Sequence, residues 1–457
     1  MLGTVVQGKY RPRKQVVLCT DSRALKPGQV FWALKGEKFD GHKFANEAFS
    51  KGGYAAVVDQ EWLETNGIPI NVYVPVKDTN GALLDLAAAY AARFRIPKVA
   101  VTGSNGKTTT KDMIVRVLAK LGPTLGTQGN FNNQVGVPLT LFELRESHRF
   151  AVIEMGTNHP GEIQVLSETV RPNLAVVTNI GYSHLEHFHT KERIRDEKLS
   201  IAAGFNPRGT LILNVDDPLL AGVKPGPRSK LLTFGIDRGQ IKPADLSFGD
   251  DGCASFRIGR TWFRLRVPGR HNVYNALAAI AVGSHLRVPK GLMAEALGSF
   301  TASRNRMQVK RLGSLTILDD CYNANPSSMR SALATLGSFK TGGRRVAVLG
   351  DMLELGPDAD TLHLEIGRYL VEMGVSELFT FGSLSRHINR GAREKGMARG
   401  RAHHFSDFDL MCGELLKLLA PGDVVLVKAS HGMHLERVYE FLREKAKAGS
   451  QRLEERT

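Results

Sequence analysis

The chain has 457 residues, 42% hydrophobic and 23% charged, which excludes a disordered, collagen-like or disulfide-framework protein and predicts two to four domains. Its 61 lysines and arginines outnumber 45 acids, for a net charge of +16, a balance that suits nucleic acid, an acidic membrane surface or a polyanionic small substrate. No apolar run approaches the ~20 residues needed to cross a bilayer, the start carries no apolar signal core, and Cys19, Cys253, Cys321 and Cys412 form no CxxC pair, so the expectation is a cytoplasmic protein with reduced thiols.

In chain order, residues 1–95 hold short strand-like runs at Val16–Leu18, Val30–Leu34, Ala55–Val58 and Val72–Val74, then an alanine-rich helix from Gly81 to Phe94. Pro97, just past that helix, marks a boundary. Residues 96–302 alternate strand and helix: Lys98–Thr102, a glycine loop, a helix from Lys107 to Leu121, then strands at Phe150–Ile153, Leu174–Val177 and Thr210–Leu213. A more β-like stretch, Leu231–Val267, precedes a helix from Asn272 to Leu286. Residues 303–457 repeat the alternation, with strands at Leu315–Leu318, Arg345–Leu349, Glu377–Phe381 and Val424–Val427, and helices at Ser327–Leu336, Thr361–Met373 and Met433–Lys445. The pattern predicts a three-domain α/β protein: a small α/β domain, a central P-loop domain with a mainly parallel sheet, and a C-terminal Rossmann-like domain. The densest basic clusters, Lys9–Lys14 and Arg443–Arg452, lack interleaved aromatics and are read as solvated surface.

The sharpest signal is Val101-Thr102-Gly103-Ser104-Asn105-Gly106-Lys107-Thr108-Thr109, between a buried strand and a helix. Glycines let backbone N–H groups converge on phosphate oxygens, and the helix N-terminus adds partial positive charge. Lys107 reaches toward β- and γ-phosphates, and the Thr108 hydroxyl suits a Mg²⁺ shell. Val101 stands where the strict motif has its first glycine, so this is a shortened variant. Glu154 ends a strand-like run, where α/β enzymes place their chemistry, and His184 follows another. The HxxHxH spacing of His184, His187 and His189 completes no zinc site, and His187 and His189 are read as loop histidines. Asn272 and Asn275 share one helix face; on the residues alone they are a cap and a buried amide.

The phosphate loop resembles that of the Mur ligase family, which builds peptidoglycan precursors. Four further segments extend the resemblance over nearly the whole chain: Gly129 to Leu141, Glu154 to His159, Asn179 to Glu186, and Asp319 to Pro326. They are similar to the branch that adds D-alanyl-D-alanine. The resemblance implies an ATP-dependent amide ligase joining D-Ala-D-Ala to UDP-MurNAc-tripeptide through an acyl phosphate, with ATP and Mg²⁺, as a monomer with no nucleic-acid partner and no membrane insertion. It makes residues 1–95 the UDP-substrate-binding domain, 96–302 the ATP-binding domain, and 303–457 the closing C-terminal domain.

By the same resemblance, Gly103 to Thr109 hold ATP, and Thr108, Glu154, His184 and Lys198 hold metal, with Lys198 either carbamylated or an ordinary surface lysine. Asn272 and Asn275 become adenine contacts, Arg306 reaches the phosphates, and Asp320 binds ribose or, alternatively, caps a strand end. Lys107, Glu154, His184 and Arg306 make up the catalytic set. Ser22, Arg23, Asp40, His42, Asn130, Asn133, Asn158, Tyr322, Asn323 and Asn325 fall on substrate-binding segments. Val427 to Met433 resembles a loop facing the cleft, with His431 where many relatives have Arg. The base that deprotonates the amine is not singled out. Two rivals stand beside this reading: another ligase of the same type, diamino-acid-adding or folylpolyglutamate synthase-like, and a P-loop ATPase stimulated by nucleic acid.

Overall fold

The computed structural model describes residues 16–36, 39–67, 71–182, 185–205, 207–227 and 229–454. Residues Met1–Arg95 and Asn130–Leu144 form one compact unit, and Ile96–Gly129 with Arg145–Thr457 form a second.

The first unit is built on four parallel strands, in order β1 (Leu18–Cys19), β2 (Val30–Trp32), β3 (Ala55–Asp59) and β4 (Tyr73–Val76). Successive side chains of a strand point to opposite faces. Phe31, Ala56 and Val58 therefore enter one core, and Val30, Trp32, Ala55 and Val57 enter another. The helix Thr79–Ala91 covers the second face with Leu83. Asp78 starts that helix by accepting from the N–H groups of Asn80 and Gly81. The same core takes Val135 and Phe142, which is why residues 130–144 leave the phosphate-loop region and join this unit.

The second unit contains a six-stranded sheet in which every pair is parallel, in the order β10-β9-β8-β5-β7-β6. Its strands are β5 (Lys98–Thr102), β6 (Thr124–Gly126), β7 (Phe150–Glu154), β8 (Leu174–Val177), β9 (Gly209–Asn214) and β10 (Ser229–Phe234). β5, β7, β8 and β9 are buried along their whole length, which explains their unbroken apolar character. β5 lies between β7 and β8, so the strand order reverses there. Ligands of open α/β sheets bind at such a switch point, beyond the C-terminal strand ends.

The β-like stretch 231–267 divides. β10 extends the parallel sheet, and β11 (Ala244–Phe248), β12 (Cys253–Ile258) and β13 (Thr261–Pro268) make a separate antiparallel sheet. β12 buries Ala254, Phe256 and Ile258 at alternate positions, in one core with the helix Arg270–His285.

A second six-stranded sheet follows, in the order β14-β15-β19-β16-β17-β18, antiparallel only between β14 and β15. It comprises β14 (Gln308–Leu312), β15 (Leu315–Asp319), β16 (Arg345–Gly350), β17 (Glu377–Phe381), β18 (Ala402–Phe405) and β19 (Val424–Lys428). The α/β fold expected from the sequence is present, with a mainly parallel central sheet. β6, β14 and β18 had no apolar-run signal; they are sheet edges with mixed or polar residues. The last helix starts at Arg437 rather than Met433, because His434 takes a left-handed φ of 51° that a helix cannot continue through. Among the described residues no helix is long and apolar enough to cross a membrane.

Candidate active site

The loop between β5 and the helix Lys107–Leu118 is held from the end of β8. Asn105 donates its N–H to Asn179 Oδ1 (3.0 Å), and its carbonyl accepts from Thr178 Oγ1 (2.6 Å) and Asn179 Nδ2 (3.0 Å). Ser104 Oγ donates to the Gly181 carbonyl and accepts the Gly181 N–H. Gly103 and Gly106 have φ of 147° and 78°. A Cβ on Gly103 would lie 1.9 Å from Thr178 Oγ1, and one on Gly106 2.5 Å from Asn275 Oδ1. Only glycine fits at either place. A loop braced in this way presents the N–H groups of Gly106 and Lys107, at the helix start, at no further ordering cost when phosphate arrives.

Lys107 Nζ donates to the Gly103 carbonyl at 2.9 Å. Burial lowers its pKa; the Glu154 carboxylate opposes that and the Arg306 guanidinium adds to it. Thr108 is buried at the start of the helix, and Thr109 is half-buried beside it. Glu154 is buried at the end of β7, where its N–H donates to Thr127 Oγ1. Lys198 lies on the helix Lys191–Leu199, 2% exposed, with its pKa lowered to about 7 by burial first and then by the Lys107 cation, against the opposing Glu197 carboxylate. Glu197 accepts from the N–H groups of Gly161 and Ile163 and so anchors the helix Glu162–Val170. Lys107 is thus the common neighbour of Glu154, Arg306 and Lys198. Such a surplus of cations suits the triphosphate of a nucleotide.

Among the described residues no cluster of three His, Cys, Asp or Glu could hold a metal ion. Mg²⁺ needs fewer protein ligands: it keeps waters, takes phosphate oxygens, and prefers hard oxygen donors. The Thr108 hydroxyl and the Glu154 carboxylate, both buried beside the phosphate loop, meet that requirement. His184 lies outside the described residues.

At the nucleoside end the amides are used internally. Asn272 and Asn275 are 3% and 4% exposed. Asn272 Nδ2 donates to the Pro268 carbonyl (2.7 Å), and Asn275 Nδ2 to Asn272 Oδ1 (3.0 Å). Asn275 Oδ1 accepts from Thr110 Oγ1 (3.1 Å) and sits under Gly106. This geometry makes the pair a strut beneath the phosphate loop.

The second sheet brings another group of residues to the same loop. Asn325 caps the helix Pro326–Ser338 by accepting from Ser328 N–H, and its Nδ2 donates to Asn105 Oδ1 at 2.8 Å. Asp320 is held on both oxygens: Oδ1 accepts from the Met307 N–H (3.0 Å) and Oδ2 from Lys428 Nζ (2.6 Å). Lys428 is 2% exposed and also donates to the Asn323 carbonyl. Asn323 Oδ1 accepts the N–H of Ala324. Asp320 thereby braces the strand end. Lys428 had been assigned only to a loop; its signal is a lone cation closing the apolar run Val424–Val427. The Arg306 guanidinium lies over the Tyr322 ring, 3.5 Å from its centroid, and the His431 ring is 5.8 Å from that ring.

Elsewhere, Asn158 is exposed, with its N–H bonded to Glu162. In the first unit Ser22 is buried, and Arg23 is exposed and bonded to Asp21, whose pKa its guanidinium draws down to about 2. His42 is buried: Nε2 accepts the Asp59 N–H (2.9 Å), which leaves the Nδ1 proton for Asp40 Oδ1 (2.7 Å). Both ring nitrogens are thus bonded within the protein, and the ring braces the sheet. Asn133 Oδ1 caps the helix Gly136–Phe142 through the Val135 and Gly136 N–H groups, and Asn130 is exposed.

Three family models match the chain: the Mur ligase family, catalytic domain, over residues 16–91, the Mur ligase middle domain over 101–283, and the Mur ligase, glutamate ligase domain, over 305–431. A UDP-N-acetylmuramoyl-tripeptide–D-alanyl-D-alanine ligase from Bacillus subtilis is 36% identical, with 96% of each chain covered. One from Escherichia coli is 34% identical, with 93% of each covered. MurF from Acinetobacter baumannii superposes with a TM-score of 0.85 at 32% identity over 93% of each chain. The MurF ligase from Thermotoga maritima in complex with ADP gives 0.83 at 28% identity, covering 95% of this chain and 98% of that one.

Proposed function

The chain belongs to the Mur ligase family, and from that premise we infer that it is an ATP-dependent ligase adding D-alanyl-D-alanine to UDP-MurNAc-tripeptide in peptidoglycan precursor synthesis. The observation that carries this is the likeness, end to end, to ligases of that activity at 36% and 34% identity. The site supports it independently, because a braced phosphate loop with Lys107 and Arg306 beside it is an arrangement for phosphoryl transfer.

The terminal carboxylate of the tripeptide attacks the γ-phosphorus of ATP, giving an acyl phosphate and ADP. The amine of the dipeptide then attacks the acyl carbon, and phosphate leaves from the tetrahedral intermediate as the amide forms. Lys107 and Arg306 offset the charge on the transferring group. The backbone N–H groups of Gly106, Lys107 and Thr108, at the start of the helix, cradle the β-phosphate end, and Thr109 supports the first helical turn. When bound, Mg²⁺ supplies Lewis-acid neutralisation of the phosphate oxygens, with Thr108 and Glu154 as its protein ligands and His184 as a further one. Lys198 joins that set as a carbamate: its free amine, available at neutral pH because of the lowered pKa, adds CO₂ and releases a proton.

The organisation proposed for this work is a UDP-substrate-binding region over 1–95, an ATP-binding region over 96–302 and a C-terminal region over 303–457, in a monomeric cytoplasmic enzyme. Ser22, Arg23, Asn130 and Asn158 remain the proposed substrate contacts with exposed or unspent side chains. Phosphate release from ATP with UDP-MurNAc-tripeptide, measured with and without D-Ala-D-Ala, tests the reading. Release should require the dipeptide. Release that ignores the dipeptide and rises with DNA or RNA would overturn the ligase assignment in favour of a nucleic-acid-stimulated ATPase.

A further inference from the structure

Arg306 has no carboxylate partner among the described residues, and no side-chain hydrogen bond holds its guanidinium; its contact is the ring of Tyr322, 3.5 Å away. Most functional arginines are aimed by an acid, which fixes the side chain but cancels its charge and occupies its donors. An aromatic face holds a guanidinium by its flat side and leaves the five in-plane N–H donors and the full positive charge available.

The backbone on both sides commits to this stack. Asn305 and Met307, flanking Arg306, adopt left-handed φ of 60° and 52°, conformations that non-glycine residues hold only where surrounding contacts require them. The Asn305 carbonyl accepts the Tyr322 N–H at 3.0 Å, and the Met307 N–H donates to Asp320 at 3.0 Å. The turn carrying the cation is thereby fastened to the turn carrying the ring. Within the described residues the Tyr322 hydroxyl makes no hydrogen bond, so the ring is the part in use. Both turns are tied to the phosphate loop and its helix: Ser303 Oγ donates to Asp112 Oδ2 at 2.6 Å, on the helix that opens at Lys107, and Asn325 Nδ2 donates to Asn105 Oδ1 at 2.8 Å.

We propose that Tyr322 is a positioning residue: its ring is the platform that aims Arg306 at the transferring phosphoryl group without consuming its charge. This rests on the ligase reading above, and it replaces substrate contact as the role of Tyr322.

The test is steady-state turnover of wild type, Tyr322→Phe, Tyr322→Leu, Arg306→Ala and the Leu/Ala double variant, with all three substrates varied. Tyr322→Leu should lower kcat by about tenfold to a hundredfold, as misplacement of a catalytic group does, with KM for the tripeptide and dipeptide held within about twofold. Tyr322→Phe should restore turnover relative to Leu, and Arg306→Ala should cost less in the Leu background than in wild type, by the factor that Tyr322→Leu has already removed. A raised tripeptide KM with kcat intact, a Phe variant as slow as Leu, or additive losses would each overturn the proposal. Thermal unfolding checks that Leu is folded, and Tyr322→Trp, which keeps a π face, replaces it as the contrast if it is not. A wild type without dipeptide-dependent release sinks the ligase reading alone. Coupling is then read from ATP affinity of the same variants, where non-additivity sustains the platform and additivity overturns it.

Discussion

At the phosphate loop the functional groups are neighbours in the chain: Gly103, Gly106, Lys107 and Thr108 span six positions, and a strand before and a helix after them set their geometry. At the Arg306 corner they are not. Arg306 and Tyr322 come from two separate connections of the second sheet and Lys428 from the end of β19, and they meet through a stack, two left-handed residues and a buried ion pair. The first region can be preorganised by local backbone chemistry, whereas the second depends on packing between elements more than a hundred residues apart. Damage to the first should therefore appear in chemistry with the fold intact, and damage to the second in stability as well.

The largest effect expected is at the loop. Lys107→Ala should lower kcat about a thousandfold, the scale of losing one preorganised charge at the reacting group, while circular dichroism and thermal unfolding stay close to wild type. A variant that unfolds would show that the loop, too, depends on this side chain for its fold. At the corner, Lys428→Met leaves the Asp320 carboxylate without its buried partner and should cost about 3 kcal/mol in urea unfolding. A cost below about 1 kcal/mol would mean that the corner is held by the Met307 N–H and the stack instead.

The smallest effect is expected at Lys198, beside Lys107 of the phosphate loop. Its folded pKa of about 7 lies below the ordinary 10.5. Below pH 7 both folded and unfolded chains hold this proton, and the folded state bears the full penalty of a buried cation. Between about 7 and 10.5 the unfolded chain holds more of it, so unfolding free energy rises with pH across that window. Denaturant unfolding at pH 7 and pH 9, in CO₂-free buffer, should show wild type gaining stability relative to Lys198→Met. Parallel pH dependences would remove the buried-amine account. A mass gain of one CO₂ on the native protein, lost in Lys198→Met, would identify the carbamate.

Much of the architecture was legible because its signals are local. Fully buried parallel strands such as Val99–Val101, Val152–Ile153 and Val346–Leu349 need continuous apolar runs, and helix starts such as Lys107 after Gly106 have their own chemistry. Edge strands were not legible: Gln308–Leu312 and Ala402–Phe405 are half-solvated and need no apolar run. Nor did the chain order reveal that residues 130–144 return to the first unit, since that depends on Val135 and Phe142 finding a core built from Trp32 and Leu83.

The site divides in the same way. Asn272, Asn275, His42 and Asp320 carry functional groups that resemblance assigns to ligands, yet a side chain's spare hydrogen-bonding capacity exists only once its neighbours are in place. Here Thr110, Pro268, Asp59, Met307 and Lys428 take up that capacity. The amino-acid sequence by itself determined the fold class, the phosphate loop and the family, because each is written in short-range pattern. Only the tertiary structure decided which polar groups brace the site and which remain open to a ligand. It alone revealed that Arg306 is aimed by a ring rather than an acid, since hydrogen-bond saturation and stacking are properties of contacts distant in the chain.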